Sequence, residues 1–209
     1  QLGVLDEISG LLAAARMANL GTLDHDALAR SCRRVGDRLH VLTGIPRADR
    51  RVEVRPGVLP AVLQLAAESA HVVVDTGAWL EDDGPQGRDR MTRDALAVAD
   101  EVLVVGSAEP VGLTRLARGL VELRDVVPAV PTRVVVNRMR TSLGWSERDI
   151  VGMVEGFARP VGVHFLPEDT ATLDRAMVSG RGLAELGQSR LRQALVPLAT
   201  AMVAGPARA

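Results

Sequence analysis

Residues 99–116 read ADEVLVVGSAEPVGLTRL. The run 101–105 is short and aliphatic, Gly106-Ser107-Ala108-Glu109-Pro110 supplies turn chemistry, and 111–124 sets Leu113, Leu116, Leu120 and Leu123 on one helical face. A buried strand turning into an amphipathic helix is half of a βαβ unit. The pattern recurs outward. Aliphatic runs at 39–42, 71–74 and 133–136 are expected as further parallel strands, buried on both faces, with a weaker one at 161–166 that carries His164. Helical stretches are expected at 58–69, at 91–99, at 147–158 behind Ser146 as N-cap, and at 183–203, where Pro197 interrupts or kinks the helix. This alternation predicts an α/β fold: an open, mostly parallel sheet with helices on both faces, as a single domain over 1–209 with 189–209 as terminal helix and tail. Ligands of such sheets bind beyond the carboxyl ends of the strands, so the residues just past each strand are the candidates.

Composition narrows the chemistry. A chain of 209 residues that is 47% hydrophobic can bury one sizeable core. Its net charge of −1 creates no overall field favouring nucleic acid or an anionic membrane. All 25 basic residues are Arg, so no lysine Schiff base, general base or phosphate-loop lysine can come from this chain. Cys32 is the only cysteine, which excludes an internal disulfide and a Cys-rich metal site and fits a reducing cytoplasm. No apolar stretch reaches the length of a membrane span, and Gln1-Leu2-Gly3-Val4 is no signal peptide. With two Trp, two Phe and no Tyr, there is no aromatic platform for single-stranded nucleic acid.

Four segments carry candidate chemistry. In 71–77, His-Val-Val-Val-Asp75-Thr76-Gly77, an aliphatic strand ending in Asp and Gly has the Walker B layout; an ordinary strand ending in a turn reads equally well. In 134–138, Asn137 follows a buried strand, where its amide can meet an adenine edge or cap the next loop. In 165–169, Phe-Leu-Pro-Glu-Asp, the strand ends in Pro and Asp169 is a good helix N-cap. The small residues of 106–108 leave room for a ligand or make a plain βα loop. Arg138 and Arg140 form a basic pair that reads as solvated surface, and His71 and His164 read as core groups. The stretch 81–93 is loop-like enough for a mobile active-site loop.

In order and spacing these motifs resemble the MinD/ParA family of P-loop ATPases, and within it the CpaE/TadZ-like branch of actinobacterial pilus-assembly and septum-site proteins. The resemblance covers almost the whole chain. It rests on VVVDTG at 72–77, the 99–116 segment, RVVVNR at 133–138 and FLPEDTATLDRAMVSGRGLAEL at 165–186. It implies that Asp75 serves a magnesium ion directly or through water, and that Thr76 and Gly77 begin a nucleotide-sensing switch. Asn137, with Arg138 beside it, would face the adenine of ATP, and Leu166, Pro167, Glu168 and Asp169 would wall the base pocket. Many relatives read Asp-x-Pro-Ala-Gly in the switch, where this chain has Asp75-Thr76-Gly77-Ala78. The family's opening strand, its loop ending in Gly-Lys-Thr or Gly-Lys-Ser, and the helix and strand that follow are absent. The resemblance places Gln1–Val4 just after that second strand, so an N-terminal truncation of roughly one βαβ unit, at least about 30 residues, is expected.

The function so implied is a regulatory ATPase. ATP and magnesium would hold a homodimer together, and hydrolysis would release it to position pilus-assembly, division or partition machinery. This chain alone is not expected to hydrolyse ATP. The alternative is a non-catalytic scaffold on a degenerate nucleotide-binding fold; a third reading, an ATP-dependent ligase or synthetase of the cobyrinate or biotin type, needs more convergent polar residues. No sequence-specific nucleic-acid partner is implied, and the expected location is cytoplasmic, at most peripheral at the inner face of the membrane. For the terminal helix, core packing is favoured over membrane contact because its polar side is thin.

Overall fold

The computed structural model describes residues 9–82, 84, 87 and 89–205. These residues divide into two compact units, one up to Val98 and one from Ala99 onward. The expectations that fall on Gln1–Val4, on the last four residues of the tail, and on 83, 85, 86 and 88 of the proposed mobile loop lie outside the described residues.

The first unit is built on helices. Helix α1 (Gly10–Asn19) starts at Ser9, whose hydroxyl caps the Leu12 N–H at 3.1 Å. Helix α2 (His25–Ser31) starts at Asp24, which caps Ala27 at 2.7 Å. Such caps stabilise a helix by about 1 kcal/mol each. Strands β1 (Arg33–Val35) and β2 (Leu39–Val41) pair antiparallel around a loop in which Gly36 takes φ 74°. Helix α3 (Val58–Ala67) packs on α1, α2 and α4 (Arg90–Ala97). Leu11, Leu12, Leu28, Val54, Leu59 and Val62 are the centre of this core.

Two of the five expected parallel strands are corrected here. The 39–42 run is one arm of the antiparallel hairpin, because the three residues after Val35 let the chain turn straight back. The 71–74 run forms no strand. Val72, Val73 and Val74 are exposed, Val73 by 79%, and no ladder hydrogen bonds fix them. A strand exists only through its neighbours, and this segment has none among the described residues.

The second unit is a three-stranded parallel sheet in the order β3-β4-β5, with β3 at Val102–Ser107, β4 at Thr132–Met139 and β5 at Gly162–Pro167. Registers such as Val104↔Val134 and Val136↔Phe165 align the three carboxyl ends. Alternate residues of β4 face opposite ways, as a pleated strand requires. Val134 and Val136 pack with Leu113, Leu116 and Leu120 of α5 (Pro110–Val126) and with Ile150 and Val154 of α6 (Glu147–Glu155). Val135 and Leu166 pack on the other face with Leu191 and Leu198 of α8 (Arg190–Ala204). Helices thus cover both faces of this sheet, as expected, and the four leucines expected on one face of α5 are all buried. Pro197 lies inside α8, which runs on through it to Ala204.

Ser146 caps α6 in a full capping box with Asp149, and Asp169 caps α7 (Thr170–Ser179) by accepting from the Thr172 N–H at 3.2 Å. Among the described residues, no helix is long and apolar enough to cross a membrane.

Candidate functional site

The carboxyl edge of the second unit gathers three of the four segments singled out in the sequence. Strand β3 ends in Ser107 and leads to Ala108 and Glu109. Strand β4 ends in Asn137, Arg138 and Met139, followed by Arg140. Strand β5 ends in Leu166 and Pro167, followed by Glu168 and Asp169. Backbone bonds tie the three ends together. The Ala108 N–H donates to the Asn137 carbonyl at 2.9 Å, and the Glu168 N–H donates to the Met139 carbonyl at 3.0 Å.

The central strand is irregular where it meets this edge. Between Val136↔Phe165 and Met139↔Pro167 two residues of β4, Asn137 and Arg138, stand opposite Leu166 alone, which makes a β-bulge. Arg138 sits at φ 60°, the one non-glycine residue with positive φ among those described. Asn137 Oδ1 accepts from the Arg138 N–H at 2.8 Å and holds the bulge. Asn137 therefore does cap the loop after its strand. Besides that bond, an amide side chain carries two Nδ2 donors and a second oxygen lone pair. The bulge aims Arg138 into solvent, while Leu166 beside it is buried.

Arg140 is more than solvated surface. Its Nη1 lies 3.2 Å from Glu109 Oε1 and 3.3 Å from Glu168 Oε2, so one guanidinium bridges the loops after all three strands. Glu109 is held below the usual carboxylate range, first by the Ser107 hydroxyl, then by its own backbone N–H and by Arg140. Asp169 is lowered too, chiefly by the Thr172 hydroxyl. No spacing rule in the sequence points to this bridge, since its members are 28 and 31 residues apart.

The small residues before α5 have a packing role. A Cβ on Gly106 would stand 2.9 Å from Leu116 Cβ, and one on Gly112 would stand 2.0 Å from Ser107 Oγ. Helix and strand meet through these two glycines, and Ala108 is fully buried, so the space is filled by α5. Between α5 and α6 lies a separate apolar cavity of about 390 Å³, lined in part by Trp145, Met153 and Phe157.

The fourth segment belongs to the first unit. Asp75, Thr76 and Gly77 are exposed, and the Thr76 hydroxyl donates to the Gly77 carbonyl at 3.1 Å. Asp75 does not end a strand, so the Walker B layout expected from the sequence is not formed. Among the described residues no group of three or more His, Cys, Asp or Glu could hold a metal ion. Asp75 on an exposed, irregular segment does not by itself fit a magnesium site.

Comparison with known proteins yields no matching family and no matching curated protein. The class defined by the second unit is an open parallel α/β sheet flanked by helices, with a polar cluster along its carboxyl edge.

Proposed function

We propose that the carboxyl edge of β4 and β5 is the base-recognising wall of a nucleotide pocket, in a regulatory ATPase domain of the MinD/ParA kind. One juxtaposition carries this reading. Asn137 ends the central strand, Leu166–Asp169 end its neighbour, and the Glu168 N–H to Met139 carbonyl bond holds the two together. An amide beside a buried Leu can offer a donor and an acceptor to the edge of a purine while the aliphatic surface takes part of the ring. Placement beyond the strand ends of a parallel sheet suits this use.

The reading assigns recognition to this chain and phosphate grip elsewhere. Backbone nests with a lysine hold the phosphates in P-loop enzymes, and this chain has no lysine. The wider role, an ATP-bound homodimer that positions pilus, division or partition machinery, belongs to the same proposal and rests on the sequence resemblance. The test is titration of the isotopically labelled protein with adenosine and guanosine at millimolar concentration, followed by NMR. Adenosine should shift the Asn137 side-chain amide and the backbone of 166–169, guanosine should do so less, and Asn137→Ala should remove the difference. An equal response to both nucleosides would refute base recognition. ATP should bind no more tightly than adenosine; micromolar, magnesium-dependent binding would refute the absence of phosphate grip.

A second reading, a scaffold on a nucleotide-type fold, is favoured by the Arg140 bridge, which closes the edge with the protein's own charges. It expects no response to either nucleoside.

A further inference from the structure

At the amino-terminal side of the same sheet, each strand region contributes one polar side chain to a chain of contacts centred on a buried arginine, with the other two groups half-buried. Arg133 of β4 is only 6% exposed. Its Nε contacts Glu101 Oε1, just before β3, and its Nη2 lies 3.4 Å from Glu101 Oε2. Its Nη1 lies 3.2 Å from Nε2 of His164 on β5. The guanidinium also sits against Gly162, where a Cβ would come within 2.8 Å of Nη1. These three groups are absent from the nucleotide reading, and β5 is an edge strand of its sheet.

The arrangement works in one protonation state. A guanidinium can only donate, so Nε2 must accept, which requires neutral imidazole. Protonation turns Nε2 into a donor and sets a second cation against Arg133. Arg133 and Glu101 are the charged groups that act on His164, and the carboxylate is already engaged by Arg133. The helix packed on this face, α8, brings apolar Leu191, Leu195, Leu198 and Met202. We propose that Glu101, Arg133 and His164 form a pH-sensitive latch: neutral His164 ties β5 to β4, and protonated His164 releases the amino-terminal half of β5. Burial and then Arg133 push the imidazole below its ordinary 6.5. A folded-state value below the unfolded one gives stability that is whole above pH 6.5 and is lost as pH falls. Because β5 runs on to Leu166 and Pro167, loosening it reaches the proposed base wall.

Amide hydrogen exchange at pH 7.5 and pH 5.5, corrected for intrinsic rates, tests the latch. Protection of the amides of 161–165 should fall on acidification, by at most about tenfold for a single imidazole, relative to those between β3 and β4. His164→Gln keeps a neutral acceptor and should hold its protection. An equal fall in His164→Gln, or no selective fall in the parent, would overturn the latch. If the variant does not fold, the imidazole titration of the parent protein decides: a midpoint below 6.5 supports the latch and one at or above 6.5 overturns it.

Discussion

Asn137 Oδ1 accepts a hydrogen bond from the Arg138 N–H at 2.8 Å, while Arg138 itself holds φ at 60°. A side-chain acceptor and a left-handed residue are thus coupled at the end of the central strand. A non-glycine residue in this conformation costs about 1 kcal/mol or more. Arg138→Gly should therefore raise stability to denaturant by up to about 1 kcal/mol. A loss of more than that would show that the Arg138 side chain holds the bulge, contrary to its exposure.

The Ser107 hydroxyl, ahead of the Glu109 backbone N–H and Arg140, holds the Glu109 carboxyl below its ordinary 4.5. Ser107→Ala should raise the Glu109 carboxyl pKa more than Arg140→Met does, as read by NMR titration of the carboxyl carbon. The folded-state value lies below the unfolded 4.5, so the stability linked to Glu109 is present above pH 4.5 and is lost as pH falls below it. A larger response to Arg140→Met would reverse the order of causes. Arg140 is about one-third exposed, so water and salt screen its bridges, and the effect of its removal should shrink further at high ionic strength.

The sequence made parts of this architecture legible and hid others for physical reasons. Residues 71–75 and 133–137 read almost alike, His-Val-Val-Val-Asp against Arg-Val-Val-Val-Asn. The second is a central strand because β3 and β5 flank it and helices cover both faces; the first has no ladder partner among the described residues. Aliphatic content reports the wish for burial, and partners decide whether it is met. Leu113 to Leu123, the Ser146 cap and the Asp169 cap were readable because they depend on spacing within one segment. The hairpin at 33–41 escaped because its first arm, Arg-Arg-Val, carries little strand signal, although Gly36 marks the turn. Helices α1 and α2 escaped too, despite an Ala-rich run and the Ser9 and Asp24 caps. The Arg140 bridge and the Arg133 cluster join residues about 30 apart, a relation that no local pattern encodes; the one hint was a charge, Arg133, at the head of a buried aliphatic run.

Two glycines of α5 make opposite predictions. A Cβ at Gly112 would meet Ser107 Oγ at 2.0 Å and the Ser107 carbonyl oxygen at 2.5 Å, whereas at Gly119 nothing lies within 4 Å. Gly112→Ala should destabilise by about 1–3 kcal/mol because helix and strand must separate. Gly119→Ala should stabilise by about 0.5–1 kcal/mol through helix propensity alone. Chemical denaturation of the two variants decides, and equal behaviour would contradict the close approach of α5 to β3.

The terminal helix gives the last prediction, on whether its apolar side serves the core or a membrane. Leu191 and Leu198 of α8 are 6% and 5% exposed and pack on Val135 and Leu166, with Leu195 and Met202 beside them. Val196 and Val203 are more than half exposed and lie two turns apart on the solvent side of α8, with the polar Thr200 between them. Core packing is therefore what α8 does in this unit. Leu198→Ala should cost about 2–5 kcal/mol, the usual range for a buried leucine that leaves a cavity. Val196→Ser, at a solvent-facing position, should stay within about 0.5 kcal/mol. Removing 189–209 should uncover Leu166 and Val135 and increase binding of a hydrophobic dye, with loss of cooperative unfolding. A truncated protein that unfolds cooperatively at the parent midpoint, but no longer floats with anionic liposomes when the parent does, would show that α8 is a membrane anchor.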